Sequence, residues 1–132
     1  MQIPEAIKLK KTSNLLELTY QGQLYQLSAE YLRVNSPSAE VQGHGNPILQ
    51  YAKKEVKLIK IEPAGQYALK LTFDDGHDTG LYTWEYLYKL ATEQENIWDD
   101  YLKQLNEQGK SRDPNESIVK LVSSTQKTNQ TN

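Results

Sequence analysis

Residues 66–90 read QYALKLTFDDGHDTGLYTWEYLYKL, and two hydrophobic periods meet inside them. Tyr67, Leu69, Leu71 and Phe73 alternate with polar partners, the period of a half-buried strand. From Trp84 onward the apolar positions are Trp84, Leu87, Leu90 and Ala91, which share one helical face. A strand that gives way to a helix across DDGHDTG is the axis on which the rest of the chain is arranged. Trp84 is expected on the sheet, while Tyr86 and Tyr88, which cannot both share its face, are expected to be exposed.

Upstream, Val56, Leu58, Ile59 and Ile61 predict a partner strand, and Pro63-Ala64-Gly65 suits a type I turn with proline second. Further back, Ile7 and Leu9, then Leu16, Leu18 and Tyr20, alternate with polar residues, broken by Ser13-Asn14 and Gln21-Gly22 before the run Leu24-Tyr25-Gln26-Leu27. This is a three-stranded meander. Ser28 is a good N-cap for a short helix from Ala29 to Val34, which ends as Asn35, Ser36 and Pro37 arrive. Residues 36–46 contain only Ala39 and Val41 as larger apolar groups and predict a long irregular loop, of the kind that carries function or moves.

Downstream, Thr92 and Glu95 make a capping-box signature before Ile97, Trp98, Tyr101, Leu102 and Leu105. This predicts two helices, or one bent near Thr92. Gly109 ends the helical pattern, and the remainder is rich in Lys, Ser, Thr, Asn and Gln apart from the apolar segment Ile118 to Val122, so residues 109–132 are expected to be disordered. The fold class is α+β: a small antiparallel β-meander or sheet, a short helix after the third strand and a C-terminal helical segment.

The 132 residues have the length of one domain. The absence of cysteine removes thiolate zinc sites, iron–sulfur ligation, disulfides and cysteine nucleophiles. The opening MQIPEAIKLKK has neither a secretory pattern nor a spanning run, which predicts a cytoplasmic protein away from membranes. Net charge is −2, and the basic excess lies after Gly109, leaving the folded part more acidic; nucleic acid is not an expected partner.

The densest polar cluster is Asp74, Asp75, Gly76, His77 and Asp78, at the end of a strand and before a helix. Carboxylates and an imidazole this close could bind a cation; equally, Asp and Gly could supply a turn, with Asp78 or Thr79 capping the next element. An EF-hand from Asp74 to Glu85 fails, because the sixth position is Thr79 where the loop needs glycine. His44, within VQGHGN, is the other histidine, and neither it nor His77 has the His-x-Asp/Glu spacing of a non-haem iron oxygenase. A shared site of His44, His77 and Asp75 requires the long loop to fold back. No phosphate-binding glycine loop, nucleophile elbow or H-E-x-x-H motif is present.

YLRVNSPSAEVQGHG, together with the later stretch IEPAGQYALKLTFDDGHDTGLYTWEYLYKL, resembles the gamma-butyrobetaine hydroxylase N-terminal-like family, with stand-alone bacterial members of unknown function. The resemblance covers about residues 6–91, leaving 1–5 as an extension and 92–108 as an additional helix. In the hydroxylases this small domain precedes the oxygenase domain and holds a structural zinc through three cysteines and a histidine. By resemblance the cysteines fall on Ser36, Ser38 and Val41 and the histidine on His77, so three thiolates are replaced and structural zinc is not expected. No counterpart of the catalytic domain is expected, so the resemblance is expected to carry architecture and not chemistry. Fusion of some family members to nucleotide-dependent iron–sulfur carriers suggests an adaptor role. The resulting expectation is a non-catalytic module that offers the 36–46 loop, the DDGHD turn, Arg33 and Tyr82 to a protein partner. The alternative is a small metal- or ligand-binding protein using His77, Asp75, Asp78 and His44.

Overall fold

The computed structural model describes residues 2–116. Strands β1 (Ala6–Lys10), β2 (Leu15–Tyr20) and β3 (Gln23–Ser28) form one antiparallel sheet in the order β1-β2-β3. Helix α1 (Ala29–Val34) comes next, then α2 (Ala39–Gln42) and a 3-10 turn, Gly43–Gly45. Strands β4 (Leu58–Ala64), β5 (Ala68–Phe73) and β6 (Leu81–Thr83) form a second antiparallel sheet in that order, and α3 (Trp84–Thr92) and α4 (Gln94–Gln108) complete the described chain. No helix among the described residues is long and apolar enough to cross a membrane.

The alternation in β2 and β5 puts Leu16, Leu18, Leu69, Leu71 and Phe73 into one core with Leu32 of α1 and Leu87 and Leu90 of α3. Burying a side chain of this size contributes about 1.5–3 kcal/mol, so the shared core is what holds the two sheets and their helices together. Asn14 adds a polar link between the sheets. It sits in the β1–β2 turn at φ 56°, its side-chain amide donates to Val56 O at 2.9 Å, and its Oδ1 accepts from Leu58 N at 3.1 Å.

Ser28 caps α1 as expected, its Oγ accepting the Tyr31 N–H, and Trp84, Leu87, Leu90 and Ala91 form the buried face of α3. Trp84 Nε1 donates to Gln66 O at 2.8 Å, which ties the helix to the β4–β5 turn. Two helices meet at Thr92, but the capping box does not form. Thr92 belongs to the last turn of α3 and donates to Tyr88 O, leaving Glu93 at the N-cap of α4 without a side-chain bond.

Other expectations change as well. Pro63 lies inside β4 opposite Leu69, and the turn is made by residues 65–67. Residues 36–46 are not irregular throughout, because Ser38 caps α2 by accepting the Val41 N–H. Strand β6 has only three residues, too few to show a period. Tyr86 and Tyr88 are half-buried against the core; Tyr86 reaches Asn35 O through its hydroxyl at 2.6 Å.

The chain after Gly109 does not leave the fold at once. Ser111 O and Arg112 O accept from the backbone of Ala52 and Lys54, and Arg112 makes a two-bond fork to Glu30 at 2.7 and 2.8 Å while its guanidinium lies over Trp98. Composition misjudged residues 109–116 because this anchoring rests on two cations, Arg112 and Lys110 over the Tyr51 ring, and on backbone groups. The rest of the expected tail lies outside the described residues.

Candidate functional site

The DDGHD sequence folds as a turn leaving β5. Gly76 adopts φ 88°, open to glycine and strained for other residues, and the turn closes through Gly76 N to Phe73 O and Phe73 N to His77 O. Asp74 faces back toward the β4 side, its Oδ1 accepting the Lys57 N–H at 2.9 Å. Asp75 points the other way. Its Oδ2 accepts from Arg33 Nε and Lys53 Nζ, both at 2.9 Å, and its Oδ1 accepts the His77 N–H at 3.1 Å. Arg33 also donates to Gln50 Oε1 at 3.1 Å. Thus α1, the 50–53 segment and the turn are joined through one carboxylate. Partial burial alone would raise the Asp75 pKa; the bonds from Lys53, the His77 backbone and Arg33 outweigh it and hold the carboxyl down at about 2.

His77 faces α2. Its Nε2 lies 2.8 Å from Ser36 Oγ, and its Nδ1 lies 3.7 Å from a Glu40 oxygen. A carboxylate on the Nδ1 side favours the proton there, so Nε2 accepts the Ser36 hydroxyl hydrogen. Ser36 Oγ also accepts the Ser38 N–H, and Thr79 Oγ1 donates to Glu40 at 2.9 Å. Burial first, then the Arg33 charge, lowers the His77 pKa from 6.5, against the raising influence of Glu40 and Asp75. At neutral pH the ring is an uncharged clasp between the turn and α2.

Ser36, His77 and Glu40 have the connectivity of a nucleophile, base and orienting carboxylate; the resemblance brings Ser36 and His77 together, but no motif points to Glu40. Burial excludes a nucleophilic role in this arrangement. Ser36 is 0% exposed, and a Cβ placed on Gly80 would come within 2.5 Å of its hydroxyl oxygen, so the backbone packs directly on the atom an acyl substrate would have to reach.

The residues that the resemblance aligns with a zinc site do converge, but their chemistry does not fit that metal. Ser36 and His77 satisfy each other, the Ser38 hydroxyl caps α2, and Val41 supplies a buried hydrocarbon. Without thiolates this donor set lacks the charge and softness of a structural zinc centre. Among the described residues no group of three or more His, Asp or Glu side chains is arranged to hold a metal ion.

The expected binding surface also changes composition. Tyr82 is fully buried and donates to Leu32 O at 2.6 Å, and Arg33 is only 6% exposed; both stand behind the surface as supports. Asp78 is drawn toward β5, 3.9 Å from Lys70 Nζ, and the cap of α3 is Thr83 in place of Asp78 or Thr79. His44 lies on the 3-10 turn, and its side chain lies outside the described residues. Glu40, Thr79, Lys53 and Gln50 join the site unannounced by any motif; only a fold that closes α2 and the 50–53 segment onto the turn reveals them.

The family model of the gamma-butyrobetaine hydroxylase-like N-terminal domain matches residues 7–88. A structure determined in solution by NMR is 63% identical, with 93% of this chain and 99% of that one covered and a TM-score of 0.82. A second NMR structure is 46% identical, with 96% and 94% covered and a TM-score of 0.74. The crystal structure of a protein with unknown function of the DUF971 family from Acidithiobacillus ferrooxidans is 36% identical, with 68% of this chain and 93% of that one covered and a TM-score of 0.57. No curated protein matches the chain. A family model spanning more than half of its length, with solved relatives of this identity, means that the chain belongs to the gamma-butyrobetaine hydroxylase-like N-terminal family.

Proposed function

We propose that the protein is a non-catalytic adaptor module that presents the segment 36–46 and the DDGHD turn to a protein partner. The observation that supports this is the closure of the polar cluster: Arg33, Lys53, Asp75, Ser36, His77, Glu40 and Thr79 bond one another across three separate stretches of chain. Groups satisfied in this way stiffen a surface, whereas catalysis needs groups left available to a substrate.

Beside the cluster runs a groove of about 300 Å³, lined among others by Val41, Ile48, Tyr86, Ile97, Asp100 and Tyr101. Ile48 is 56% exposed, and Glu40 is an exposed anion on the neighbouring helix. The partner chemistry that suits this surface is an apolar side chain flanked by a cation. Burial of the apolar group would supply affinity, and the charges would supply orientation.

A photo-cross-linking residue at Gln42, with a control at exposed Lys8 on β1, tests the proposal in cells. A discrete adduct from Gln42 that disappears in Ile48→Asp and weakens in Glu40→Lys is expected. Equal adducts from both positions, or an adduct indifferent to Ile48→Asp and Glu40→Lys, would overturn it. Titration of zinc, iron and manganese into chelator-treated protein bears on the metal-binding alternative; stoichiometric binding lost in His77→Ala would replace the adaptor reading.

A further inference from the structure

Tyr31, Tyr82, Tyr86 and Tyr101 each donate their hydroxyl to a backbone carbonyl, those of Leu90, Leu32, Asn35 and Gln50, at 2.6–2.7 Å. Tyr20 departs from this pattern. Its hydroxyl is sealed from solvent and has no hydrogen-bond partner among the described residues. A buried hydroxyl without a partner is costly and calls for an explanation. The adjoining turn carries a second cost. Gln21 adopts φ 50°, in the left-handed region that glycine favours, and the Glu5 carboxylate holds it there by accepting the Gln21 and Gly22 N–H groups at 2.8 and 3.3 Å.

The rings of Tyr25 and Tyr88 meet Tyr20 edge-on, with centroids 5.9 and 5.0 Å away. Together with Gln2, Gln21 and Gln23 these three tyrosines line a pocket of about 240 Å³. Its side chains are three phenols and three primary amides, all uncharged, able to donate and accept hydrogen bonds between apolar ring surfaces.

We infer that this pocket at the β2–β3 hairpin binds a small uncharged polyhydroxylated ring, a sugar or cyclitol of monosaccharide size, with one ligand oxygen accepting the Tyr20 hydroxyl hydrogen. An ionic ligand would lose water without gaining a counter-charge, because none of the lining side chains is charged and the Glu5 carboxylate is engaged with the turn. The volume is below that of pockets for drug-sized molecules and suits one ring. Burial, then the neighbouring phenols of Tyr88 and Tyr25, pushes the Tyr20 pKa up to about 12, so the group remains a donor at neutral pH. Gln2, at the pocket's lining, is exposed and forms no hydrogen bond with the described residues, so no such bond holds it against an entering ligand. The site uses none of the residues of the proposed partner surface.

The test is an NMR titration of the full chain with D-glucose, D-galactose and myo-inositol, with choline and inorganic phosphate as charged comparators. Saturable shifts at the Tyr20, Gln21 and Tyr88 amides are expected for a neutral probe, with affinity falling roughly tenfold in Tyr20→Phe, which keeps the ring packing, and also falling in Gln23→Ala at the exposed rim. No saturable shift up to about 100 mM of any neutral probe would overturn the inference. So would binding unchanged in Tyr20→Phe, or binding of choline or phosphate in this pocket in preference to the neutral rings.

Discussion

Replacing Ser36 with Ala removes one oxygen from the centre of the clasp and almost no volume, so the cavity contribution is small. What is lost is hydrogen bonding: the 2.8 Å contact with His77 Nε2 and the weaker 3.3 Å bond from Ser38 N, both in a region closed to water. An acceptor or donor stranded in this way costs about 1–3 kcal/mol; with one strong and one weak bond, Ser36→Ala is expected to cost about 2 kcal/mol. For a chain of this size that lowers Tm by roughly 6–10 °C. Thermal unfolding at pH 7.5, monitored by circular dichroism, reads the change. Combined with His77→Ala, the two effects should fall short of additivity by about 1 kcal/mol, since either substitution breaks the same bond. A Ser36→Ala variant within about 0.5 kcal/mol of the parent, or strict additivity with His77→Ala, would refute the clasp.

The lowered pKa of His77 gives a pH signature. The unfolded chain takes up a proton near 6.5 while the folded chain does so lower, so the unfolded state binds more protons between these values and stability falls as pH drops through that window; His77→Ala should flatten the slope below pH 6.5. Asp75, depressed from 3.8 to about 2, contributes stability that is present above pH 3.8 and is lost as pH falls toward 2; Asp75→Asn should reduce acid sensitivity there and, by leaving Arg33 with weaker partners, cost about 1–2 kcal/mol at pH 7 in chemical denaturation. Gly80→Ala is expected to cost about 1–3 kcal/mol, because its methyl would meet Ser36, Pro37 and Tyr82 at 2.5–3.3 Å; unchanged thermal stability would contradict that packing. Arg112→Ala strands the Glu30 carboxylate and uncovers Trp98, with an expected loss of about 1–3 kcal/mol and a change in tryptophan fluorescence; an unaltered Tm would mean that residues 109–116 do not anchor the fold.

The sequence was most legible where a period ran for several residues over a shared core. The β2 and β5 alternations and the α3 face needed only Leu16, Leu18, Leu69, Leu71, Leu87 and Leu90 to declare themselves, and all are buried. It was least legible where one residue decides the outcome. Pro63 was expected to turn the chain but sits at the end portion of a strand, Thr92 spends its hydroxyl on its own helix, and β6 is too short to show alternation. For the site, the turn chemistry of Gly76 and the convergence of Ser36 with His77 could be anticipated from residue type and resemblance. The depth of Tyr82 and Arg33 could not, because an aromatic or an arginine beside a polar motif reads equally well as a contact or as a support. Glu40 and Lys53 reach the turn, and Gln50 reaches Arg33, only through long-range closure, to which no local spacing points.

The Asn14 link bears on the order in which this chain folds. The meander β1-β2-β3 and the hairpin β4–β5 each pair strands close in sequence, while Asn14 reaches across 42 and 44 residues to Val56 and Leu58. Local pairings close small loops and form early; a bond of this span forms only once two preassembled halves have met. Asn14 is therefore placed to act as a latch set after the rate-limiting step: an Asn14→Gly variant, which tolerates the positive φ, should unfold faster while refolding at nearly the parental rate.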